Sequence, residues 1–403
     1  MTPGTPSILL AAPGHDLAPG HGSTQHVLAL AGSLSRRTRL TVAFRRVGAE
    51  AGADGVAFEA IDPTAAEPEP DGVGVRGLDP RPHLAYLSAL RRFARRARRR
   101  FDALLEVGSR LSGVLGGAFA APGRPYMAIE PFRPLVDAGG DARALIRRIA
   151  HGVGESIVRR RLRLAARVFV ESRDFGADLV RGGYVRARSV RILPTGVDRN
   201  RFRPQDRLEA RRALGVAESA LVLLFAGSLD EYHELEPVLR AAAAHRRNGR
   251  GSSLEVHLVG EGRRREWLER CAAETGAPAR FHGRVPPDAV PRWIAAADLA
   301  LAPYRTDGFP GGRVPFSTLK IPEYLACARP VVTVPWGGPA ERVRSGVDGF
   351  LVPNREAAWT AFLDRLPSRE ALDEMGRRAT ESPLPSWDDV AATLLEACEE
   401  ARR

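Results

Sequence analysis

Short apolar runs alternate with helical segments along the chain, and the alternation occurs twice. In the first half the runs lie at residues 7–13, 40–44, 101–106, 125–130 and 167–171. In the second half they lie at residues 221–227, 254–260, 280–285, 299–304, 330–335 and 349–353. Strands that alternate with helices form a parallel sheet covered on both faces. The sequence therefore predicts an α/β protein built from two doubly wound domains.

Residues 189–204 separate the two series and have the character of a linker. A chain of 403 residues is long enough for two domains of ordinary size. We predict a first domain at residues 1–195, a second at residues 196–385 and a closing helix at residues 386–403. Two such domains in sequence would face each other across a cleft.

Composition disfavours several classes of protein. The three cysteines are too few and too dispersed for a disulfide framework or a metal knuckle. His15, His21 and His26 lack a cysteine or carboxylate pattern that would complete a metal site, so no metal is predicted. The amino terminus does not resemble a signal peptide, and no apolar run approaches the roughly 18 residues of a membrane-spanning helix. We therefore expect a cytoplasmic protein.

One basic residue stands apart from the others. The chain has 60 Lys and Arg residues, and Lys320 is its only lysine. Where arginine has replaced lysine so widely, a retained lysine indicates a site that needs a compact ammonium instead of a wide guanidinium. The alternative is that a single lysine has survived by chance.

The residues around Lys320 favour a binding site for a nucleoside diphosphate. Ser317 and Thr318 can cap a helix that begins near Leu319, and a helix start attracts phosphate. Glu323 follows Lys320 by three residues, so both side chains are expected on one helical face. A cation and a carboxylate at this spacing suit a ligand with phosphate at one end and hydroxyl groups at the other.

Two arginine-rich segments predict amphipathic helices, at residues 83–101 and 141–166. Their basic faces could contact anionic lipid at a membrane surface, as such helices can. The alternative is an ordinary solvated face, which basic helices often have. Nucleic acid is not an expected partner, because no aromatic stacking platform is visible and the basic helices have apolar faces to bury.

A lysine can also form a Schiff base with pyridoxal phosphate or with a carbonyl substrate, so an enzyme of that class stays open as an alternative. Ser317-Thr-Leu-Lys320 matches the S-x-x-K of penicillin-binding proteins, but the K-T-G motif of that family needs a second lysine. The chain contains no P-loop motif.

Taken together, the chain resembles the GT-B glycosyltransferases, specifically the retaining group classed as family 4, over nearly its whole length. The motifs that carry the resemblance are Ile192-Leu-Pro-Thr-Gly-Val-Asp198 with residues 202–204, residues 225–229 with His233, Phe281-His-Gly283, and residues 317–326 followed by residues 330–332. The resemblance implies two Rossmann-like domains, an acceptor site in the first, a nucleotide-sugar site in the second, and a closing helix that crosses back to the first.

The resemblance also implies roles for individual residues. Glu323 would bind the donor ribose, and Lys320 with the Ser317–Leu319 backbone would hold the diphosphate. Residues 261–285 would surround the base, with Glu261, Arg284 and Val285 among the contacts. From the first domain, Gly22 and Ser23 would face the diphosphate, and Glu130, at a strand's carboxyl end, would lie nearest to a histidine that the family often carries. The substrate-binding candidates in the second domain are completed by Gly227, Ser228, His233, Arg313, Ser317, Thr318 and Leu319.

The chain departs from the family pattern at two points. Ser228 and His233 stand where members often carry an arginine and a lysine, and Pro315 stands at the first of the paired glutamates. With these two cations missing, Lys320 is expected to carry more of the diphosphate charge, helped by Arg313.

The sequence therefore predicts an enzyme that moves a sugar from a nucleotide-sugar to a small-molecule or glycan acceptor. The catalytic candidates are Lys320 and Glu130, and the resemblance implies retention of configuration. No Asp-x-Asp pair occurs, so no metal or other cofactor is expected. A non-catalytic nucleotide-sugar binding protein is the alternative, and the missing cations favour it. Arginine and alanine bias with this fold suits a bacterial pathway.

Overall fold

The chain divides into two compact units. The computed structural model describes residues 5–17, 22–47, 55–62, 80–108, 113–119, 125–130, 156, 158–249, 253–307, 309, 312–316 and 318–403, without the side chains of residues 22, 23, 80–83, 113 and 130. Unit 1 comprises Met1–Pro194 with Trp387–Arg403, and unit 2 comprises Thr195–Ser386. The two boundaries predicted from the sequence each differ from these by one residue.

Unit 1 contains a seven-stranded sheet with the strand order β3-β2-β1-β4-β5-β6-β7. Its strands are β1 (Ser7–Ala12), β2 (Arg39–Phe44), β3 (Ala57–Ala60), β4 (Ala103–Val107), β5 (Tyr126–Glu130), β6 (Arg167–Val170) and β7 (Val190–Ile192). All neighbouring strands are parallel. The central strands are buried along nearly their whole length, as strands covered on both faces must be.

Helices cover both faces of this sheet. They are α1 (Gly22–Ser35), α2 (Pro80–Arg100), α3 (Gly113–Phe119), α4 (residues 158–164), α5 (Arg173–Arg181) and α13 (Trp387–Glu400). Side chains alternate along β1: Ile8 and Leu10 face a core formed with α1 and α13, whereas Leu9 and Ala11 face a core formed with α2 to α5. The carboxyl-terminal helix therefore completes one face of unit 1.

Unit 2 repeats the architecture with a six-stranded parallel sheet in the order β10-β9-β8-β11-β12-β13. Its strands are β8 (Leu221–Ala226), β9 (Leu254–Val259), β10 (Ala279–Gly283), β11 (Leu299–Ala302), β12 (Val331–Thr333) and β13 (Gly349–Leu351). Its helices are α6 (Arg207–Leu214), α7 (Glu236–Arg247), α8 (Arg265–Thr275), α9 (Val290–Ala296), α10 (Lys320–Ala326), α11 (Glu356–Leu363) and α12 (Arg369–Ala379). The prediction of two parallel α/β sheets is confirmed.

A buried carboxylate ties α6 and α12 to the amino-terminal edge of the second sheet. Asp298, just before β11, accepts hydrogen bonds from the backbone N–H of Val222 and from Arg211, both at 2.7 Å. Arg207 and Arg369 lie 3.2 Å and 3.1 Å from its other oxygen. A fully buried charge is tolerated because these donors surround it. The network holds the amino-terminal ends of these strands together. A ligand is expected at the opposite, carboxyl-terminal ends.

Three details differ from the sequence prediction. Val190–Ile192 lies within the predicted linker but forms the edge strand β7, paired with β6. Its sequence, Val-Arg-Ile, is too short and too polar to show an apolar run. The sequence did not predict the strand β3 or the helices α3, α5, α6, α11 and α12. Of the predicted helix at residues 141–166, residues 158–164 are helical, and residues 141–155 and 157 lie outside the described part of the chain.

Within the described ranges, no helix combines the length and apolar character needed to cross a membrane.

Candidate functional site

Lys320 is the first residue of α10, and its side chain is buried inside unit 2. Only 7% of the residue is exposed. Its Nζ lies 2.6 Å from Nε2 of His233 and 4.1 Å from the centroid of the Phe225 ring. An ammonium over an aromatic face is attracted by the negative face of the ring. The single lysine of the chain therefore occupies an enclosed site that selects a compact cation.

His233 connects this lysine to a carboxylate. Nδ1 of His233 lies 3.1 Å from Oδ1 of Asp230, an oxygen that also accepts the backbone N–H of Tyr232 at 2.9 Å. The other carboxylate oxygen accepts a hydrogen bond from the Ser228 hydroxyl at 2.7 Å. An ionised carboxylate only accepts, so Asp230 keeps a proton on Nδ1 and leaves the Nε2 lone pair toward Lys320. These three side chains form an Asp230–His233–Lys320 chain.

Burial governs the ionisation of this chain. It lowers the pKa of Lys320 to about 7, against the opposing attraction of Asp230 and Glu323. It also lowers the pKa of His233, and the charge of Lys320 lowers it further. Burial acts to raise the pKa of Asp230, but the hydrogen bond and charge of His233 outweigh it and hold that pKa below its ordinary value. At neutral pH, Lys320 is therefore only partly protonated, and His233 is mostly neutral.

Two glycines bring the carboxyl ends of β8 and β9 against each other beside Lys320. Gly227 follows β8 with a φ of +153°, and a Cβ there would lie 3.0 Å from Nζ of Lys320. Gly260 follows β9 with a φ of +139°, and a Cβ there would lie 1.9 Å from the carbonyl oxygen of Gly227. Only glycine adopts such φ values without strain. The close approach at this sheet edge therefore depends on both residues.

Glu323 lies three residues after Lys320 on α10 and is half-buried. Burial raises the pKa of its carboxyl to about 7, while the charges of Arg201 and Lys320 oppose the shift. The predicted pairing of a cation and a carboxylate on α10 is present. The lysine is turned inward onto His233, whereas the residue Glu323 as a whole is half-buried.

The predicted capping of α10 by Thr318 is wrong. The helix begins after Leu319 with no side-chain cap hydrogen bond. The Thr318 hydroxyl instead accepts a hydrogen bond from the buried Tyr304 hydroxyl at 2.7 Å. Tyr304 follows β11, and its hydroxyl occupies the threonine oxygen that the prediction assigned to the cap. The local sequence around Thr318 does not reveal this contact. Ser317, the other predicted cap, lies outside the described residues.

The remaining candidates in unit 2 lie on loops near the carboxyl ends of the strands. Glu261 follows β9 and forms an ion pair with Arg265 of α8. Arg284, which is exposed, and Val285, which is half-buried, follow β10. Arg313 is half-buried in the segment that leads to α10. The candidates of this unit that lie within the described residues therefore gather on the carboxyl-terminal side of one sheet, as ligand sites of open α/β sheets do.

For the candidates in unit 1 the structure describes the backbone only. Gly22 and Ser23 open α1, and Glu130 is the last residue of β5. Glu130 thus stands at the carboxyl end of a strand, as expected from the sequence. Their side chains lie outside the described part of the structure, so their proposed roles stay predictions.

Asp230 is a site residue that sequence reasoning missed. The sequence predicts His233 and Ser228 as substrate-binding residues that replace two cations, and the structure joins both to Asp230 and joins His233 to Lys320. The spacing Ser228-x-Asp230-x-x-His233 on a strand-to-helix loop was the available signal. Within the described residues, no group of three or more His, Cys, Asp or Glu side chains is arranged to hold a metal ion.

Comparison with known proteins agrees with this geometry. Residues 220–367 match the family model "Glycosyl transferases group 1". The D-inositol 3-phosphate glycosyltransferase of Geodermatophilus obscurus is 34% identical over 259 residues, which are 60% of this chain and 53% of that protein. Its counterpart in Nocardia farcinica is 32% identical over 264 residues, 62% of this chain and 55% of that protein. The chain thus spans about half the length of these curated relatives.

Solved structures match over a greater length. Sucrose-phosphate synthase from Thermosynechococcus elongatus has a TM-score of 0.76 and 17% identity, covering 98% of each chain. Anabaena HepE in complex with UDP-glucose has a TM-score of 0.71 and 18% identity, covering 98% of this chain and all of that one. At these identities the likeness establishes the fold. The chain therefore has the GT-B fold, and its residues 220–367 resemble the group 1 glycosyl transferases.

Proposed function

We propose that this protein is a glycosyltransferase that moves a sugar from a nucleoside-diphosphate sugar, bound by unit 2, to an acceptor bound by unit 1. The observation that carries the proposal is the enclosed Lys320 ammonium at the carboxyl edge of the second sheet, next to the half-buried Glu323. The group 1 domain at residues 220–367 and the curated relatives, which are named glycosyltransferases, support the same activity.

In this proposal each end of the donor has its own contacts. Lys320 and the backbone of residues 317–319 hold the diphosphate, and Glu323 accepts hydrogen bonds from the ribose hydroxyls. The loops after β9 and β10, with Glu261, Arg284 and Val285, surround the base. The structure of HepE with UDP-glucose supports a nucleotide-sugar as the ligand class.

Departure of the diphosphate leaves an oxocarbenium-like sugar and places negative charge on the leaving group. A cation fixed beside that group stabilises the transition state more than the ground state, which is what accelerates a reaction. Lys320 is held in advance by His233 and Phe225 and is shielded from water, so its attraction to the diphosphate is stronger than at an exposed position. We propose retention of configuration, with Glu130 the acid–base candidate from unit 1.

We also propose that transfer requires no metal ion or other cofactor and takes place in the cytoplasm. The lack of an Asp-x-Asp pair in the sequence supports the first point, because the cationic side chains of the site then have to neutralise the diphosphate. An assay with UDP-, GDP- and dTDP-sugars, with and without EDTA, tests the whole proposal. We expect hydrolysis or transfer with one nucleotide class, unchanged by the chelator.

The same assay tests the first alternative, and borohydride trapping tests the second. A non-catalytic binding protein would bind a nucleotide-sugar and leave it intact. A Schiff-base enzyme would use Lys320 as a nucleophile, which its lowered pKa of about 7 permits. Borohydride would then trap an adduct with a carbonyl substrate, and pyridoxal phosphate would give its characteristic absorbance. We expect neither.

We further propose that the exposed face of α2 contacts anionic membrane surfaces. The helix buries its apolar face in unit 1, and its outer face exposes Arg91, Arg92, Arg95, Arg96, Arg98, Arg99 and Arg100. Since the apolar face is already covered, the attraction is electrostatic and short-ranged, with a screening length of about 8 Å at physiological salt.

The membrane proposal predicts salt-sensitive binding to phosphatidylglycerol vesicles. Replacing Arg92, Arg95 and Arg99 together by glutamate is expected to abolish co-flotation with the vesicles at low salt. The matched control replaces three exposed arginines of unit 2, Arg246, Arg263 and Arg270, in the same way. Equal loss of binding in both triple variants would mean that net charge acts, without a specific face.

Lys320→Arg is predicted to lower kcat/KM by roughly a hundredfold, or about 2.7 kcal/mol in the barrier. A larger guanidinium would collide with His233, because Nζ already lies 2.6 Å from Nε2 of that residue. Steady-state kinetics give the measurement, with the exposed Arg212→Lys as the control for a swap between the two cations. Turnover near that of the wild type would show that the lone lysine reflects chance.

Glu323→Ala is predicted to weaken donor binding by roughly 1.5–3 kcal/mol, about 10- to 150-fold in Kd, without unfolding the protein. The reason is the loss of a charged acceptor for two ribose hydroxyls. Calorimetric titration with the nucleotide-sugar measures the effect. The control is Glu396→Ala at an exposed position of α13. Equal affinity of the Glu323 variant and the control would remove the ribose role.

A further inference from the structure

We propose that His233 is a second cation of the diphosphate site, charged only while the donor is bound. In the free protein it is the neutral acceptor of a hydrogen bond from Lys320. When the diphosphate arrives, Nε2 of His233 takes up a proton from the solvent, and both residues then donate to phosphate oxygens. This inference rests on the proposed function of the site and adds a residue role to it.

The first argument is the geometry of the contact. Nζ of Lys320 lies 2.6 Å from Nε2 of His233, which is hydrogen-bond distance. Nδ1 is committed to Asp230, at 3.1 Å. Nδ1 is thus taken by Asp230, whereas Nε2 faces the lysine that is proposed to hold the diphosphate.

The second argument is the balance of charge. Among the described residues, the titratable groups that face Lys320 and His233 are Asp230 on the same loop, Glu323 on α10 and Tyr304 after β11, whose pKa burial raises so that the phenol stays neutral. In the free protein the pair carries at most one positive charge, which meets the negative charge of Asp230. A diphosphate esterified at both ends brings two further negative charges into the same enclosed volume. Because attraction between opposite charges is strong in such a volume, the bound state favours an additional proton on the pair.

The third argument concerns the lysine itself. Once His233 is an imidazolium, neither nitrogen retains a lone pair, so the 2.6 Å contact changes from attraction to repulsion. Nζ then turns from the imidazole to the phosphate. Asp230 keeps its contact with Nδ1 and compensates the new charge. Protonation of His233 thus releases Lys320 to the ligand and supplies, at residue 233, the cation that the sequence appears to lack.

The experiment is calorimetric titration of the full-length protein at about pH 6, in buffers that differ in ionisation enthalpy. The probe is whichever of UDP-glucose, GDP-mannose and dTDP-glucose binds. The slope of the observed enthalpy against the buffer's ionisation enthalpy gives the number of protons taken up. At this pH, Lys320, with its pKa of about 7, is already charged. Glu323 also titrates in this range and contributes to every variant, so differences between proteins are compared.

We expect the wild type to take up about one proton more per bound donor than His233→Gln. The matched control is His245→Gln, because Nδ1 of His245 also lies 3.1 Å from an aspartate, Asp364, but outside the site. This control is expected to keep the wild-type value. Equal proton uptake by wild type and His233→Gln, with donor binding intact, would overturn the inference and leave the proposed function standing.

A second measurement does not depend on the folding of a variant. The ring ¹⁵N shifts of labelled wild-type protein are recorded at about pH 6 with and without the same probe. We expect one histidine to change from the neutral form, protonated at Nδ1, to the imidazolium on binding. A spectrum in which the probe binds and no histidine changes form would overturn the inference. If none of the three nucleotide-sugars binds, the proposed function itself fails.

Discussion

The contact between the Lys320 ammonium and the His233 imidazole is the interaction around which unit 2 is arranged. A buried ammonium is costly unless its charge is compensated. Two features compensate the charge of Lys320, and a third leaves space for its ammonium group. Phe225 offers its ring face, and Asp230 polarises the imidazole from its far side. Gly227 keeps a methyl group away from Nζ. Strand, loop and helix are thus all fitted to one compact cation, and arginine would not satisfy the same geometry.

This arrangement explains why the site lies where it does. The buried Asp298 network fixes the amino-terminal edge of the second sheet, and the glycine turns after β8 and β9 shape the opposite edge. Between these ends the central strands β8, β11 and β12 are buried along nearly their whole length, and the loops at their carboxyl ends carry the charged side chains of the site. A site built this way is organised before a ligand arrives, which reduces the entropy lost on binding.

Much of this could be predicted from the sequence. The alternation of apolar runs predicts both parallel sheets. Lys320 stands out in the sequence because it is the only lysine. The predictions failed where distant residues compete for a local group: the hydroxyl of Tyr304 pairs with Thr318, so that residue does not cap α10. The contact of His233 with Lys320 spans 87 positions of sequence. No periodicity of the sequence encodes such a contact. The sequence therefore shows His233 only as a replacement for a lysine of the family pattern, whereas the structure shows its contact with Lys320.

The central claim is that Lys320 holds the diphosphate of a sugar donor, and a crystal structure of the protein with bound UDP tests it most directly. The account predicts β-phosphate oxygens within hydrogen-bond distance of Nζ of Lys320. It also predicts ribose hydroxyls against Glu323, and a Lys320–His233 separation greater than the 2.6 Å of the free protein. A nucleotide bound elsewhere, or bound here with its phosphates away from Lys320, would contradict the account.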